Sequence, residues 1–164
     1  MSSQSASPST SPSNRPSSLD TRHIGHRLAP FSAEVEKGRL RLFAKATGQS
    51  DPVYTDEAAA RQAGHPALPV PPTFLFCLEM DAPDPHALRE LLGMDITKVL
   101  HGEQRFRYHA MAYAGDTLRF EQHIADIYQK KGGLLQFVVR ETLVRNQRDE
   151  LVAELTSTTL VRYG

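Results

Sequence analysis

The chain has 164 residues, and its 19 lysine and arginine residues balance its 19 aspartate and glutamate residues. This length suffices for one domain with a hydrophobic core, and the balanced charge provides no basic excess for nucleic acid. The lone Cys77 excludes an internal disulfide framework and a zinc site built from cysteines. No apolar run approaches the ~20 residues that cross a membrane, and no secretory signal is present, so we expect a cytoplasmic protein.

Residues 1–22 are predicted to form a disordered tail, and residues 23–164 are predicted to form the single domain. The first twenty residues include nine serines and three prolines and almost nothing apolar. Such a segment buries too little apolar surface to offset the conformational entropy that it would lose on folding.

Two helices are predicted in the first third of the domain, after a short lead-in with one strand. Residues 34–46 carry apolar side chains near helical spacing, and Ser32 is suited to cap that helix. Gly48 is suited to end it. Thr55 is predicted to cap the second helix, over residues 56–63.

A third, buried helix is predicted after a proline-rich segment. Residues 65–72 hold four prolines and must be extended. Residues 73–80 are apolar on nearly all sides, which indicates a helix surrounded by protein. Pro72 is expected at its first helical position, where a missing N–H costs nothing. A short helix over residues 86–92 follows.

The hydrophobic period changes to two from residue 99 onward, which indicates strands. Four long strands are predicted, at residues 99–109, 117–129, 134–145 and 150–162. Tight turns between consecutive strands indicate an antiparallel meander. Helices followed by strands predict an α+β fold with the helices packed on one face of an antiparallel sheet.

Three stretches of the chain together resemble the MaoC-like dehydratases, and within them the fatty-acid-synthase-type dehydratase domains. They are residues 38–57, residues 71–76, and residues 101–109 with 114–118. The resemblance covers roughly residues 28–162 and implies a single hot-dog fold, in which a long antiparallel sheet wraps a buried central helix. It also implies a (3R)-hydroxyacyl-thioester dehydratase or enoyl-CoA hydratase that acts on CoA or acyl-carrier-protein thioesters as a dimer.

The turn at residues 49–54 departs from the family pattern. Active members carry an acid, any residue, Asn, Pro, any residue and His, whereas this chain has Gln49 at the acid position and Tyr54 at the histidine position. Histidine titrates near neutral pH and can move the protons of a hydration reaction. Glutamine cannot ionise, and tyrosine, with a reference pKa of about 10, is a poor base.

Four functions are compatible with this altered turn. We favour a substrate-binding half that pairs with a catalytic MaoC-like partner, because the resemblance includes pairs in which one hot dog is catalytic and the other shapes the acyl channel. The second is a stand-alone homodimeric hydratase that uses Asp51 as a displaced acid together with Tyr54. The third is a non-catalytic acyl-thioester binding module, and the fourth is a thioesterase that relies on Asp51.

The predicted substrate site combines this turn with the start of the buried helix. Backbone N–H groups at a helix start favour negative charge and are expected to donate to the thioester carbonyl oxygen. No metal and no cofactor is expected. The predicted substrate-binding residues are Asp51, Tyr54, Pro72, Thr73 and Phe74.

Other polar residues cluster on the first long strand. His101 and Glu103 are two positions apart, so they are predicted to share a strand face. Such a pair could serve acid–base chemistry, but two ligands are too few for a metal site. Arg105 and Arg107 also share a face and could meet a phosphate, although solvated charges on a sheet face are commoner.

Overall fold

The computed structural model describes residues 18–163, so most of the predicted tail, through residue 17, lies outside the described part of the chain. Leu19 is buried, and its amide donates a hydrogen bond to the Gln136 side chain at 2.6 Å. Packing of the N-terminal segment against the domain therefore begins ahead of residue 23, the predicted domain boundary.

Four short α-helices precede most of the sheet. They are α1 (Lys37–Thr47), α2 (Glu57–Gln62), α3 (Phe74–Glu79) and α4 (Ala87–Leu91). Single 3₁₀ turns lie at Thr21–His23, Pro52–Tyr54, Ile96–Lys98 and Lys131–Gly133.

Helix ends were predicted with mixed success. Gly48 ends α1 in the left-handed conformation, as predicted, with a φ of 72°. The prediction that Ser32 caps α1 is wrong, because Ser32 lies in a strand and α1 begins after Glu36. Thr55 is also not a cap; Asp56 takes this role, since its carboxylate accepts hydrogen bonds from the first amides of α2.

Five antiparallel strands form one sheet. They are β1 (Phe31–Glu34), β2 (Val99–Tyr108), β3 (Thr117–Lys130), β4 (Leu135–Arg145) and β5 (Leu151–Arg162). The order across the sheet is β1-β3-β4-β5-β2. The four long predicted strands are confirmed, and the last three form the meander. Strand β2 pairs with β5 on one side, so its other side is a sheet edge.

The central helix α3 lies against one face of this sheet. Its residues Phe74, Leu75 and Leu78 are buried together with Phe120 and Leu155 from the strands. A short helix buried against a long antiparallel sheet is the hot-dog arrangement, and the predicted α+β class is confirmed. The start of α3 is thereby held next to the end of α1.

Within residues 18–163, no helix is both long enough and apolar enough to cross a lipid bilayer. The cytoplasmic location stays a prediction.

Candidate functional site

An open cleft of about 320 Å³ lies between the end of α1 and the segment that leads into α3. It brings together Gln49, Pro72 and Thr73, three of the residues singled out from the sequence. Phe74 lies beneath it, buried, with its ring centroid 5.2 Å from that of Phe43. The cleft is lined by Phe43, Thr47, Gly48, Gln49, Pro71, Pro72 and Thr73.

The polar side chains of the turn at residues 49–54 form hydrogen bonds within the turn and stabilise its backbone. The side-chain oxygen of Gln49 accepts a hydrogen bond from the Asp51 amide at 3.0 Å. The Asp51 carboxylate in turn accepts from the Val53 amide at 3.0 Å and caps the 3₁₀ turn. Asp51 and the half-buried Tyr54 do not line the cleft. The turn therefore presents an uncharged amide to the cleft, and its only carboxylate supports the local backbone.

The start of α3 differs from its prediction. Pro72 was expected at the first helical position, which is wrong, because α3 begins at Phe74 and Thr73 precedes it. The Thr73 backbone is left-handed, with a φ of 69°. Its amide donates a hydrogen bond to the hydroxyl of Tyr108 at 2.9 Å. A thioester carbonyl oxygen would compete with Tyr108 for this amide.

Sequence reasoning missed Tyr108 as part of this site. The residue ends β2, and burial raises the pKa of its phenol above the ordinary value, while the hydrogen bond from Thr73 opposes that shift. The hydroxyl therefore stays protonated at neutral pH. The alternation of residues along β2 could have predicted its position. It places Tyr108 on the same face as Phe106, and the ring of Phe106 packs against the core.

Replacing Thr73 with glycine is expected to raise the free energy of unfolding by about 0.5–1 kcal/mol. A β-branched residue in the left-handed region costs roughly 1–2 kcal/mol, and part of this gain is offset by the greater backbone entropy of glycine in the unfolded chain. Urea denaturation of the two proteins measures the change. Thr73→Ala is the matched control, since it keeps the positive φ strain; equal stability of the glycine and alanine variants would contradict the argument.

The predicted pairing of His101 with Glu103 is wrong. A β-bulge at Gly102 shifts the register, so His101 lies opposite Thr159 and Glu103 lies opposite Thr158. The two side chains therefore point to opposite faces of the sheet. The His101 ring packs 5.4 Å from the ring of Phe76 on α3. Among residues 18–163, no three His, Cys, Asp or Glu side chains converge as a metal site.

The arginines of β2 are engaged in ion pairs on the outer face of the sheet. Arg105 contacts Glu103 at 2.7 Å, and Arg107 contacts Glu154 at 3.9 Å. His109 shares the Glu154 carboxylate at 2.9 Å. These contacts support their interpretation as solvated surface charges rather than a phosphate site.

A buried polar cluster lies at the other end of α3. The carboxylate of Glu79, which is 3% exposed, accepts hydrogen bonds from Gln122 at 3.0 Å and from the hydroxyl of Thr142. Arg140 pairs with the same carboxylate at 3.1 Å. A small cavity of about 50 Å³ adjoins the cluster. Sequence reasoning treated Glu79 as part of an apolar helix, because its three partners come from strands distant in the chain.

Comparisons with known proteins place this fold among dehydratases. Residues 22–155 match the family described as "FAS1-like, dehydratase domain region". A UPF0336 protein of Saccharopolyspora erythraea is 35% identical over 145 residues, which cover 88% of this chain and 92% of that protein.

Solved structures are also similar to this chain in three dimensions, including two from complexes of Mycobacterium tuberculosis. One is a chain of the C-terminally truncated HadBC complex, a 3R-hydroxyacyl-ACP dehydratase from Mycobacterium tuberculosis. It has a TM-score of 0.73 and 29% identity and covers 87% of this chain and 99% of that chain. The other comes from the ChsH1–ChsH2 complex of the same organism. Its TM-score is 0.65, and the match covers 85% of this chain and 98% of that chain. Its identity of 16% shows the shared fold alone.

Proposed function

Because this chain belongs to the FAS1-like dehydratase-domain family, we propose that it is the substrate-binding half of a (3R)-hydroxyacyl-thioester dehydratase and works with a catalytic hot-dog partner. The observation that carries the proposal is the turn at residues 49–54. Gln49 is the turn side chain that faces the cleft, and it cannot ionise. The Asp51 carboxylate is committed to capping the 3₁₀ turn. A positioned general base typically contributes about 10²–10⁴ in rate, so the partner has to supply it.

The edge of β2 supports the presence of a partner. The amide of His109 donates to the carbonyl of Val152 on β5, and antiparallel ladders alternate between bonded and outward-pointing residues. Gln104, Phe106 and Tyr108 therefore direct their amides away from β5, toward the open edge. A ten-residue edge strand with free amides is a template for pairing with another strand. Two of the similar structures come from two-component complexes.

The substrate-binding role is assigned to the cleft and its surroundings. Gln49, Pro72 and Thr73 line the cleft, and Phe74 forms part of the apolar layer beneath it. Asp51 and Tyr54 stay predicted substrate-binding residues, although neither lines the cleft. The substrate is a thioester of CoA or of an acyl-carrier protein.

The test compares the purified chain alone with the chain co-expressed with a hot-dog protein that carries the intact acid and histidine. We expect hydration of crotonyl-CoA by the pair to exceed that by the chain alone by about 10²-fold or more. In the pair, Asp51→Asn and Tyr54→Phe in this chain are expected to change the rate less than about twofold, because neither side chain moves a proton.

Rapid hydration by the chain alone would contradict the proposal. If that activity were lost in Asp51→Asn or Tyr54→Phe, the stand-alone hydratase would be the correct function. Acyl-CoA binding without turnover in either preparation would identify a non-catalytic binding module.

A further inference from the structure

The outer face of the sheet, which points away from α3, carries two adjacent rows of side chains at the end where β3 turns into β4. The strand register aligns the members of each row across the sheet, and alternate residues of a strand share a face. The basic row comprises Lys130 and Arg162, with Leu135 between them. The apolar row comprises Tyr128, Phe137, Leu160 and Leu100.

The apolar row opens into a groove with a volume of about 480 Å³. Leu100 and Leu134 are 53% and 48% exposed at this groove. Exposed leucines grouped in one groove are typical of a surface that another molecule covers. Lys131 and Arg162 form the cationic part of its wall.

The lysines of this region lack carboxylate partners. Lys130 and Lys131 have no Asp or Glu within ion-pair distance among residues 18–163. In contrast, Arg105 and Arg107, farther along the same face, are each paired with a glutamate. The ammonium group of Lys130 lies over the rings of Tyr128 and Phe137, at 5.6 and 5.3 Å from their centroids. Positive charge is thus held directly beside the apolar row.

We propose that these two rows dock an acidic amphipathic helix of a second protein. Four strands spaced ~4.8 Å apart span about 14 Å between the first and last strand, which a helix of about ten residues covers at 1.5 Å per residue. The apolar side of such a helix packs on the apolar row and fills the groove. Its carboxylates lie over the basic row and the adjoining groove wall, close to Lys130 and Lys131.

The charge of the N-terminal segment of this chain excludes it as the ligand of the two rows. Residues 1–19 contain no Asp or Glu, and their one charged side chain is Arg15. That segment does not complement a basic row. The docking surface is also separate from the cleft, because Leu100 and Tyr108 are eight positions apart on β2, a distance of about 26 Å. The inference therefore goes beyond the proposed function and does not rest on it.

The probe is a synthetic helical peptide of about 14 residues, with leucines along one face and glutamates on its flank. It is titrated into the ¹⁵N-labelled full chain, beside a second peptide in which lysines replace the glutamates. We expect saturable amide shifts confined to the two rows and at least about tenfold tighter binding of the acidic peptide. The double variant Lys130→Glu/Lys131→Glu is expected to weaken that binding at least about tenfold.

The matched control is Arg27→Glu/Lys45→Glu, which reverses two cations outside the rows that also lack an ion pair among residues 18–163. This control is expected to bind the acidic peptide as the unaltered chain does. Equal binding of both peptides, equal loss in both double variants, or shifts outside the rows would each overturn the proposal. Burial of the rows in a dimer of this chain, seen as a dimer that Leu100→Ser dissociates, would overturn it as well.

Discussion

Arg140→Met is expected to lower the free energy of unfolding by about 3–5 kcal/mol, because it leaves the carboxylate of Glu79 charged and unpaired inside the protein. The side chain of Glu79 is 1% exposed, and that of Arg140 is 19% exposed. Gln122 and Thr142 still donate hydrogen bonds to this carboxylate, but no cation remains beside it. Urea denaturation at neutral pH measures the difference.

The double variant Glu79→Gln/Arg140→Met is expected to recover most of this loss. The glutamine oxygen still accepts hydrogen bonds from Gln122 and Thr142, and the buried charge is gone. Arg145→Met serves as the control on the same strand, because its partner Asp149 is exposed and such pairs contribute about 0–1 kcal/mol. If the double variant proved as unstable as Arg140→Met, charge burial would not be the cause.

The long strands of the sheet could be predicted because they depend on patterns among residues that are close in sequence. Alternation with period two and glycine- or asparagine-containing turns identified all four long strands within a few residues. One strand was predicted in the lead-in before residue 34, but its bounds were not, because the pairing partner of β1, strand β3, lies more than eighty residues away. Ser32 has the chemistry of a helix cap, but pairing with Arg119 determines its conformation.

The bulge in β2 could have been predicted from Gly102, a glycine inside a strand pattern. An added Cβ at Gly102 would lie 3.0 Å from the carbonyl oxygen of Thr158, so only glycine fits there without a shift. Glycine inside a strand pattern is typical of a bulge. Counting His101 and Glu103 across that glycine as ordinary alternating residues placed them on one face, whereas the bulge separates them.

The site was predictable in part. The altered turn could be identified because Pro52 matches the family pattern, which assigns Gln49 to the acid position, Asp51 to the asparagine position and Tyr54 to the histidine position. The structure adds the contact between the Thr73 amide and Tyr108, which are 35 positions apart. The hydrophobic pattern of the sequence does not predict a contact between residues so far apart. The buried cluster around Glu79 could not be predicted from the sequence either. The side-chain partner of Glu79 that is nearest in sequence, Gln122, is 43 positions away.

Gln104→Pro is expected to separate this chain from its hot-dog partner while leaving its own fold intact. Proline removes the amide of Gln104, which points to the open edge of β2, and its ring blocks close approach of another strand. The buried side-chain amide of Gln104 makes no hydrogen bond within residues 18–163, so its loss removes no hydrogen bond there. We expect the dissociation constant of the pair to rise at least about tenfold.

The matched control is proline at the next position. The amide of Arg105 points toward β5 in the alternating ladder, so Arg105→Pro removes a hydrogen bond inside the sheet and is expected to lower the free energy of unfolding by about 1–3 kcal/mol. Analytical ultracentrifugation of the pair and urea denaturation of the chain separate the two effects. Under the proposed function the partner supplies the general base, so crotonyl-CoA hydration in dilute Gln104→Pro mixtures is expected to fall to the level of the separate proteins. Unchanged assembly in that variant would show that the partner docks away from the edge of β2.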